Sequence, residues 1–291
     1  MRLDGAALGF TGAFADSTTI RLNDGRYRMY VFASGQYRSA ISADGLNFTM
    51  EEGTRMPTGY GHMRVVRAPD GRIRAYNITD NGIGSAVSSD EGVTFTIESG
   101  MRITEAAAGF VPSGASIVQM PNGLWRMYFS SLPRPGEGLK VHPTKSAFSS
   151  DMLNWTMDAG VRIGTGATLS ESAEHPGALV NPDGSVSLFY FRNNTLKFLM
   201  STASDGLTFT QEFDTGISQA NDPDLVRLSD NSVRLYYNWA EGATTGTVSS
   251  ALYSGTPFTA TSMAPVAPLR PAGAGDARPF WQRFGFTPSG R

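Results

Sequence analysis

Ser88-Ser89-Asp90-Glu91-Gly92-Val93-Thr94-Phe95 is one copy of a pattern that the chain repeats. It stands earlier as Ser42-Ala43-Asp44-Gly45-Leu46-Asn47-Phe48-Thr49. Later copies read Ser149-Ser150-Asp151-Met152-Leu153-Asn154-Trp155-Thr156 and Ala203-Ser204-Asp205-Gly206-Leu207-Thr208-Phe209-Thr210, with a degraded fifth at Tyr253-Ser254-Gly255-Thr256-Pro257-Phe258-Thr259. An Asp at this place caps a turn by accepting backbone N–H bonds, and the aromatic residue after it opens a strand. The role of Asp44, Asp90, Asp151 and Asp205 is therefore structural.

Between these copies lies a second recurring signal. Asp24-Gly25, Asp70-Gly71, Asn122-Gly123, Asp183-Gly184 and Asp230-Asn231 each separate two apolar runs, the strongest short-range sign of a hairpin. Successive turns lie 46, 52, 61 and 47 residues apart. Each unit has a first strand before the turn and an aromatic-rich second strand after it, such as Tyr27 to Val31 or Trp125 to Phe129. A third strand ends in the Ser-x-Asp turn, and a fourth begins at its aromatic residue, as in Phe95-Thr96-Ile97-Glu98. Period-two alternation and Gly/Asp punctuation favour strand throughout, and no convincing amphipathic helix interrupts them.

Five four-stranded units of this length predict an all-β chain folded as a five-bladed β-propeller, because radial stacking lets each antiparallel blade bury both faces. The blades are expected at about 14–57, 60–104, 110–164, 172–218 and 220–265 of a single domain spanning 1–291, with a Pro/Gly-rich tail at 266–291. Two segments break the pattern: a long connection from Leu132 to Phe148, and the tail with its Pro279-Phe280-Trp281-Gln282-Arg283-Phe284 run, expected to pack over a blade or seal the ring.

Composition narrows the function. A net charge of −2 offers no basic stripe for nucleic acid. No apolar run approaches the roughly 18 residues of a membrane span. Cysteine is absent, which removes disulfide and thiolate chemistry. Met1-Arg2-Leu3-Asp4 lacks the features of a signal peptide, so the compartment stays open between cytoplasmic and secreted.

Eight residues before the five turns stand Asp16, His62, Gly114, His175 and Asp222. In a propeller the first strand of each blade lines the central channel, so these positions meet at the mouth of an axial funnel. Two residues further on, the same strand faces carry Thr18, Arg64, Ser116, Gly177 and Asp224. One residue earlier are Ala15, Gly61, Ser113, Glu174 and Asn221. Structural demands would tend to repeat one residue type, whereas this ring varies from blade to blade as a binding or catalytic site does. The third histidine, His142, falls in the long connection, where solvation is its expected role, although a loop of this length could also reach over the channel.

Two chemistries suit the ring. Carboxylates can act as general acid and as base or nucleophile on a glycosidic bond, with burial and like charge raising one pKa. Alternatively His62, His175, Asp16 and Asp222 ligate a divalent metal such as Zn²⁺, Mn²⁺ or Fe²⁺. No phosphate-cradling glycine loop and no Gly-x-Ser-x-Gly elbow is present.

Phe14-Ala15-Asp16-Ser17 and Asn221-Asp222-Pro223-Asp224, together with the blade repeat, resemble the five-bladed propeller glycoside hydrolases of the arabinanase, β-xylosidase and invertase superfamily. The resemblance implies a base or nucleophile at the first-blade Asp, here Asp16, with a second-blade Asp tuning a third-blade Glu acid. This chain departs from that pattern. Its second blade offers His62 and Arg64, its third Ser113, Gly114 and Ser116, and the nearest acid is Glu174 in blade four, with Glu171 close by. A likeness to sialidases is confined to the Ser-x-Asp turns, since those enzymes have six blades and an arginine triad and only Arg64 is placed in this funnel.

The expected function is glycosidase-like cleavage of a carbohydrate in the funnel, with Asp16, Glu174 and Asp222 catalytic and Arg64, Asp224, Ser113 and Ser116 binding substrate. The alternatives are a metal-dependent enzyme of another class, using His62, His175, Asp16 and Asp222, and a non-catalytic carbohydrate-binding propeller with Tyr60, Phe110 or Trp239 as aromatic platforms.

Overall fold

The computed structural model describes residues 1–57, 59–79, 81–131, 141–192, 195, 197–239, 246–253 and 263–265. The tail at 266–291 and most of the connection after Leu132 therefore lie outside the described residues, as do the expectations attached to them.

A two-residue strand, β1 (Leu3–Asp4), precedes five antiparallel sheets. Blade one holds β2 (Phe14–Arg21), β3 (Tyr27–Ala33), β4 (Gln36–Ser42) and β5 (Thr49–Met50). Blade two holds β6 (Gly61–Arg67), β7 (Ile73–Thr79), β8 (Gly82–Ser88) and β9 (Thr96–Thr104), and the four-residue helix α1 (Glu105–Ala108) follows it. Blade three is β10 (Pro112–Gln119), β11 (Trp125–Ser131), β12 (Thr144–Ser149) and β13 (Thr156–Met157). Blade four is β14 (Glu174–Val180), β15 (Val186–Arg192), β16 (Lys197–Ala203) and β17 (Phe213–Ser218). Blade five is β18 (Ala220–Arg227), β19 (Val233–Trp239) and β20 (Thr247–Tyr253), whose outer edge is shared by β1 and β21 (Met263–Pro265).

Each blade is a meander, and each innermost strand packs on the innermost strands of both neighbours: β2 on β6, β6 on β10, β10 on β14, β14 on β18, and β18 back on β2. This makes a closed five-bladed propeller. The N-terminal strand completes it by pairing Leu3 with Val248 and Asp4 with Thr247, so the last blade borrows its edge from the start of the chain.

The five hairpin turns that set the register share one geometry. Gly25, Gly71, Gly123, Gly184 and Asn231 each donate a backbone N–H to the carbonyl three residues back, at 2.9–3.1 Å. All five have positive φ, from 66° at Asn231 to 89° at Gly25, which is why Gly or Asn stands there. The second strand of every blade contributes a fully buried tyrosine: Tyr30, Tyr76, Tyr128, Tyr190 and Tyr236. Hydrophobic clusters built around these rings fill the seams between blades, and Tyr60 and Phe110 pack into them.

The Ser-x-Asp turns are capped as expected. Asp44 Oδ1 accepts from the N–H groups of Leu46 and Asn47, and Asp90, Asp151 and Asp205 do the same in their own turns. Burial is slight at Asp44 and Asp151, and these bonds hold their carboxyls far below the usual range. The turns also have a second task. Tyr30, Tyr76, Tyr128 and Tyr236 each donate a hydroxyl to a turn carbonyl of the following blade, at Gly92, Met152, Gly206 and Gly45, over 2.7–2.9 Å. Among the described residues no helix is long and apolar enough to cross a membrane.

Candidate active site

Every innermost strand carries a β-bulge, and it falls in the same place each time. Pairing with the second strand skips between Ala15 and Thr18, Gly61 and Arg64, Ser113 and Ser116, Glu174 and Gly177, and Asn221 and Asp224. The bulged residues are Asp16, His62, Gly114, His175 and Asp222, and all five are left-handed, with φ between 43° and 57°. A bulge re-aims one side chain and frees its backbone from the ladder. Five bulges at one height turn five side-chain positions toward the axis.

This backbone also selects residue types. Gly costs least at positive φ, and Asp, Asn and His are the side chains most often found there. The polar character of the ring thus has a conformational source that spacing along the sequence does not reveal. Conformation alone does not account for what these residues do, however. Gly at all five positions would satisfy the backbone without burying a carboxylate, yet Asp16 and Asp222 are 1% and 0% exposed.

The side chains form two His–Asp pairs. His175 Nδ1 lies 2.5 Å from Asp222 Oδ1, and His62 Nδ1 lies 3.4 Å from Asp16 Oδ1. The two imidazoles meet edge to face, with centroids 4.2 Å apart. Asp16 and Asp222 also act on each other electrostatically. Burial pushes Asp16 up to about 6, opposed by His62 and reinforced by Asp222. Burial likewise pushes Asp222 up to about 6, against the pull of Arg64. The same desolvation drives His62 and His175 down to about 3, so both imidazoles are neutral at ordinary pH. Asp16 Oδ1 is left as a buried carboxylate oxygen without a hydrogen bond.

Third-blade chemistry enters through Ser113, whose Oγ lies 3.3 Å from His175 Nε2. With Asp222 ionised, His175 donates from Nδ1 and accepts the Ser113 hydroxyl at Nε2, so both ring nitrogens are engaged. That ring also explains Gly114. A Cβ there would sit 2.6 Å from His175 Cδ2 and 2.8 Å from its Cα, so the imidazole from blade four fills the third-blade place.

The positions two residues on have a different duty. Thr18 Oγ1 accepts from Val65 N at 3.3 Å, Ser116 Oγ from Ala178 N at 2.9 Å, and Asp224 Oδ2 from Thr19 N at 2.6 Å. Each stitches one innermost strand to the next around the ring, and Ser116 and Asp224 are occupied in this way. Arg64 sends Nη1 to the carbonyls of Ser17 and Met63, at 3.3 and 3.1 Å, and Nη2 to that of Pro223, at 3.4 Å. Its guanidinium is a buried counter-charge for Asp16, Asp222 and Asp224, tied to blades one, two and five.

Glu174 is buried at the start of β14, immediately before His175. Glu171 is exposed and pairs with Arg192 at 3.0 Å. His142 differs from its expected place in solvent. It is buried, its Nδ1 lies 2.8 Å from Ser131 Oγ, and its backbone N–H donates to Ser172. His142 itself is tied to the approach to blade four, its carbonyl accepting from Ala173 N at 3.3 Å, a contact that no spacing signal in the sequence announces. His62, His175 and Asp222 each offer a ligand atom within 4.8 Å of the others, close enough that the three could share a metal. The Trp239 side chain is outside the described residues.

No family model matches the sequence, and no curated protein matches it. Solved structures do. A thermostable family-43 glycoside hydrolase aligns at a TM-score of 0.65 and 12% identity, over 92% of this chain and 96% of the other. An endo-arabinase from Bacteroides thetaiotaomicron aligns at 0.64 and 13%, over 86% and 95%. The GH43_1 enzyme from Xanthomonas citri, solved with xylotriose, aligns at 0.65 and 13%, over 87% and 90%. The chain has the fold of these glycoside hydrolases. At such identities the likeness is one of fold alone.

Proposed function

We propose that the chain is a glycosidase-like hydrolase acting on a carbohydrate held at the axial ring. The observation that carries this reading is the Asp16–Asp222 pair: two buried, interacting carboxyls raised to about 6, with Asp16 Oδ1 making no hydrogen bond. Above pH about 6 Asp16 is ionised and serves as base toward water or as nucleophile toward the anomeric carbon. Glu174, the next buried carboxyl along the ring, donates the proton to the leaving oxygen. Asp222, held by His175, orients Asp16 and keeps its pKa high. Since the structural neighbours include an endo-arabinase and an enzyme solved with xylotriose, arabinan- and xylan-type glycans are the first to try.

Asp16→Asn and Glu174→Gln, assayed on a panel of aryl glycosides and oligosaccharides, test the assignment. Each is expected to reduce kcat by at least about 10²-fold, the usual contribution of one acid or base. Full activity in both variants overturns it. Oligosaccharide binding without turnover in the native protein favours the non-catalytic propeller instead.

A second reading rests on the His62–His175–Asp222 cluster, whose donors suit Zn²⁺, Mn²⁺ or Fe²⁺. A metal there must displace either Asp222 or Ser113 from His175, because both ring nitrogens already have partners. A melting temperature that falls with chelator and returns with one added metal supports this reading. Indifference to chelator, with no metal by elemental analysis, ends it.

A further inference from the structure

His175 reaches out of blade four on both sides. Its Nδ1 lies 2.5 Å from Asp222 Oδ1 in blade five, and its Nε2 lies 3.3 Å from Ser113 Oγ in blade three. Hydroxyl, imidazole and carboxylate thus stand in one line across three blades. That is the arrangement of a nucleophile, its base and the group that orients the base. The backbone of His175 is held as well: its N–H donates to Ser130 Oγ at 3.0 Å, and Pro176 follows it.

The ring does not need these residues for its backbone. Ala15, Gly61, Glu174 and Asn221 stand where Ser113 does, one residue before the bulge, and the bulge forms in every case. A hydroxyl at this position belongs to blade three alone. Glycine at 114 is not demanded by the backbone either, since Asp16, His62, His175 and Asp222 hold the same left-handed conformation. What Gly114 provides is room. With a Cβ 2.6 Å from its Cδ2, the His175 ring could not lie against Ser113. The other His–Asp pair is looser, with His62 Nδ1 3.4 Å from Asp16 Oδ1, so the more tightly held imidazole is the one that faces the hydroxyl. Gly114 N–H follows Ser113 inside the bulge that the ladder pairs skip. It has the sequence position of the amide that follows the nucleophile in an oxyanion hole.

We propose that Ser113 is the nucleophile of an acyl-transfer site for carboxylic esters, with His175 as its base and Asp222 positioning that base. Ser113 Oγ bonds to the carbonyl carbon while its proton passes to His175 Nε2, and Asp222 stabilises the imidazolium so formed. The C–O bond to the alcohol then breaks, and the alkoxide leaves with the proton from Nε2. Water attacks the acyl-serine in the same way, giving a proton to Nε2 that returns to Ser113 Oγ as the carboxylic acid departs. Ser113 and His175 are both buried, so the acyl group they take is small, of acetyl size. This activity is separate from glycoside cleavage and uses neither Asp16 nor Glu174 as acid or base.

The test treats the full native chain with p-nitrophenyl acetate and, separately, with a small fluorophosphonate, in chelator so that a bound metal cannot supply the nucleophile. The labelled peptide is located by mass spectrometry. Expected are saturable turnover of the ester, one label per chain on Ser113, and loss of turnover in step with labelling. Ser113→Ala, which deletes a single oxygen, should remove the label and lower kcat on the acetate by at least about 10²-fold. Labelling is read on the native chain, so it decides the matter even if Ser113→Ala folds poorly. A native chain left unlabelled at Ser113 overturns the inference, as does equal turnover by native protein and Ser113→Ala. Equal rates on the acetate and octanoate esters overturn the small-acyl class. Glycoside turnover is measured on the same preparation: its absence beside a labelled Ser113 counts against the glycosidase reading alone, and its presence beside an unlabelled Ser113 against this one alone.

Discussion

A methyl group on residue 114 would lie 2.6 Å from His175 Cδ2, on a backbone at φ +57°. Gly114→Ala is therefore expected to destabilise the fold by about 1–3 kcal/mol through strain at positive φ and loss of the His175 site, read by urea unfolding. The same residue shows how far the ring is legible in the sequence. The spacing before the hairpin turns locates all five positions, and their polarity reads as chemistry. Spacing conveys neither the left-handed bulge, which alone favours Asp, His and Gly, nor the intrusion of His175 into blade three. Asp224 carries a further expectation. Burial raises its carboxyl from 3.8 to about 6, against the pull of Arg64, so the folded chain keeps that proton where the unfolded chain has lost it. Its contribution to stability is thus fully present below the unfolded value and is lost as pH rises to about 6. Relative to Asp224→Asn, the native protein should lose stability across that window and hold a constant difference above it, measured by denaturant midpoints at successive pH values.

At the scale of elements, the recurring unit is a turn docked on a neighbour. The Ser-x-Asp sequence predicts its own cap, because donor and acceptor lie two to four residues apart. It gives no sign of the tyrosine in the preceding blade, since that partner is 62–191 residues away and belongs to another repeat. The buried position of His142 is hidden for the same reason: its hydroxyl partners come from β11 and the approach to β14. Tyr30→Phe, Tyr128→Phe and Tyr236→Phe should each cost about 1–2 kcal/mol, the loss of one hydrogen bond to a buried carbonyl. As the three share no partner, their costs should add to within about 0.5 kcal/mol in the double variants. Strong non-additivity in unfolding experiments would mean that the seams are not independent.

For the whole molecule, the repeat period made the five-bladed ring readable, since alternation and turn spacing both act within single blades. Ring closure was not readable, because β1 contributes only two residues and neither resembles a strand signal. Deleting residues 1–4 removes the Leu3–Val248 pairing and a buried leucine. A Tm lower by about 3 °C or more is expected, given roughly 1.5–3 kcal/mol for a buried Leu side chain and 2–4 °C per kcal/mol at this size. An unchanged Tm would show that β20 is closed from its other side. The shared fold brings glycosidase chemistry into consideration, but the axial carboxyls have to bear it. The most direct measurement is the pH profile of glycoside hydrolysis by the native protein beside Asp16→Asn. The account predicts native activity that falls as pH drops below about 6, where Asp16 takes up a proton, and a loss of at least about 10²-fold in kcat in the variant at every pH. Equal rates in the two proteins, or a native profile flat through pH 6, would contradict it.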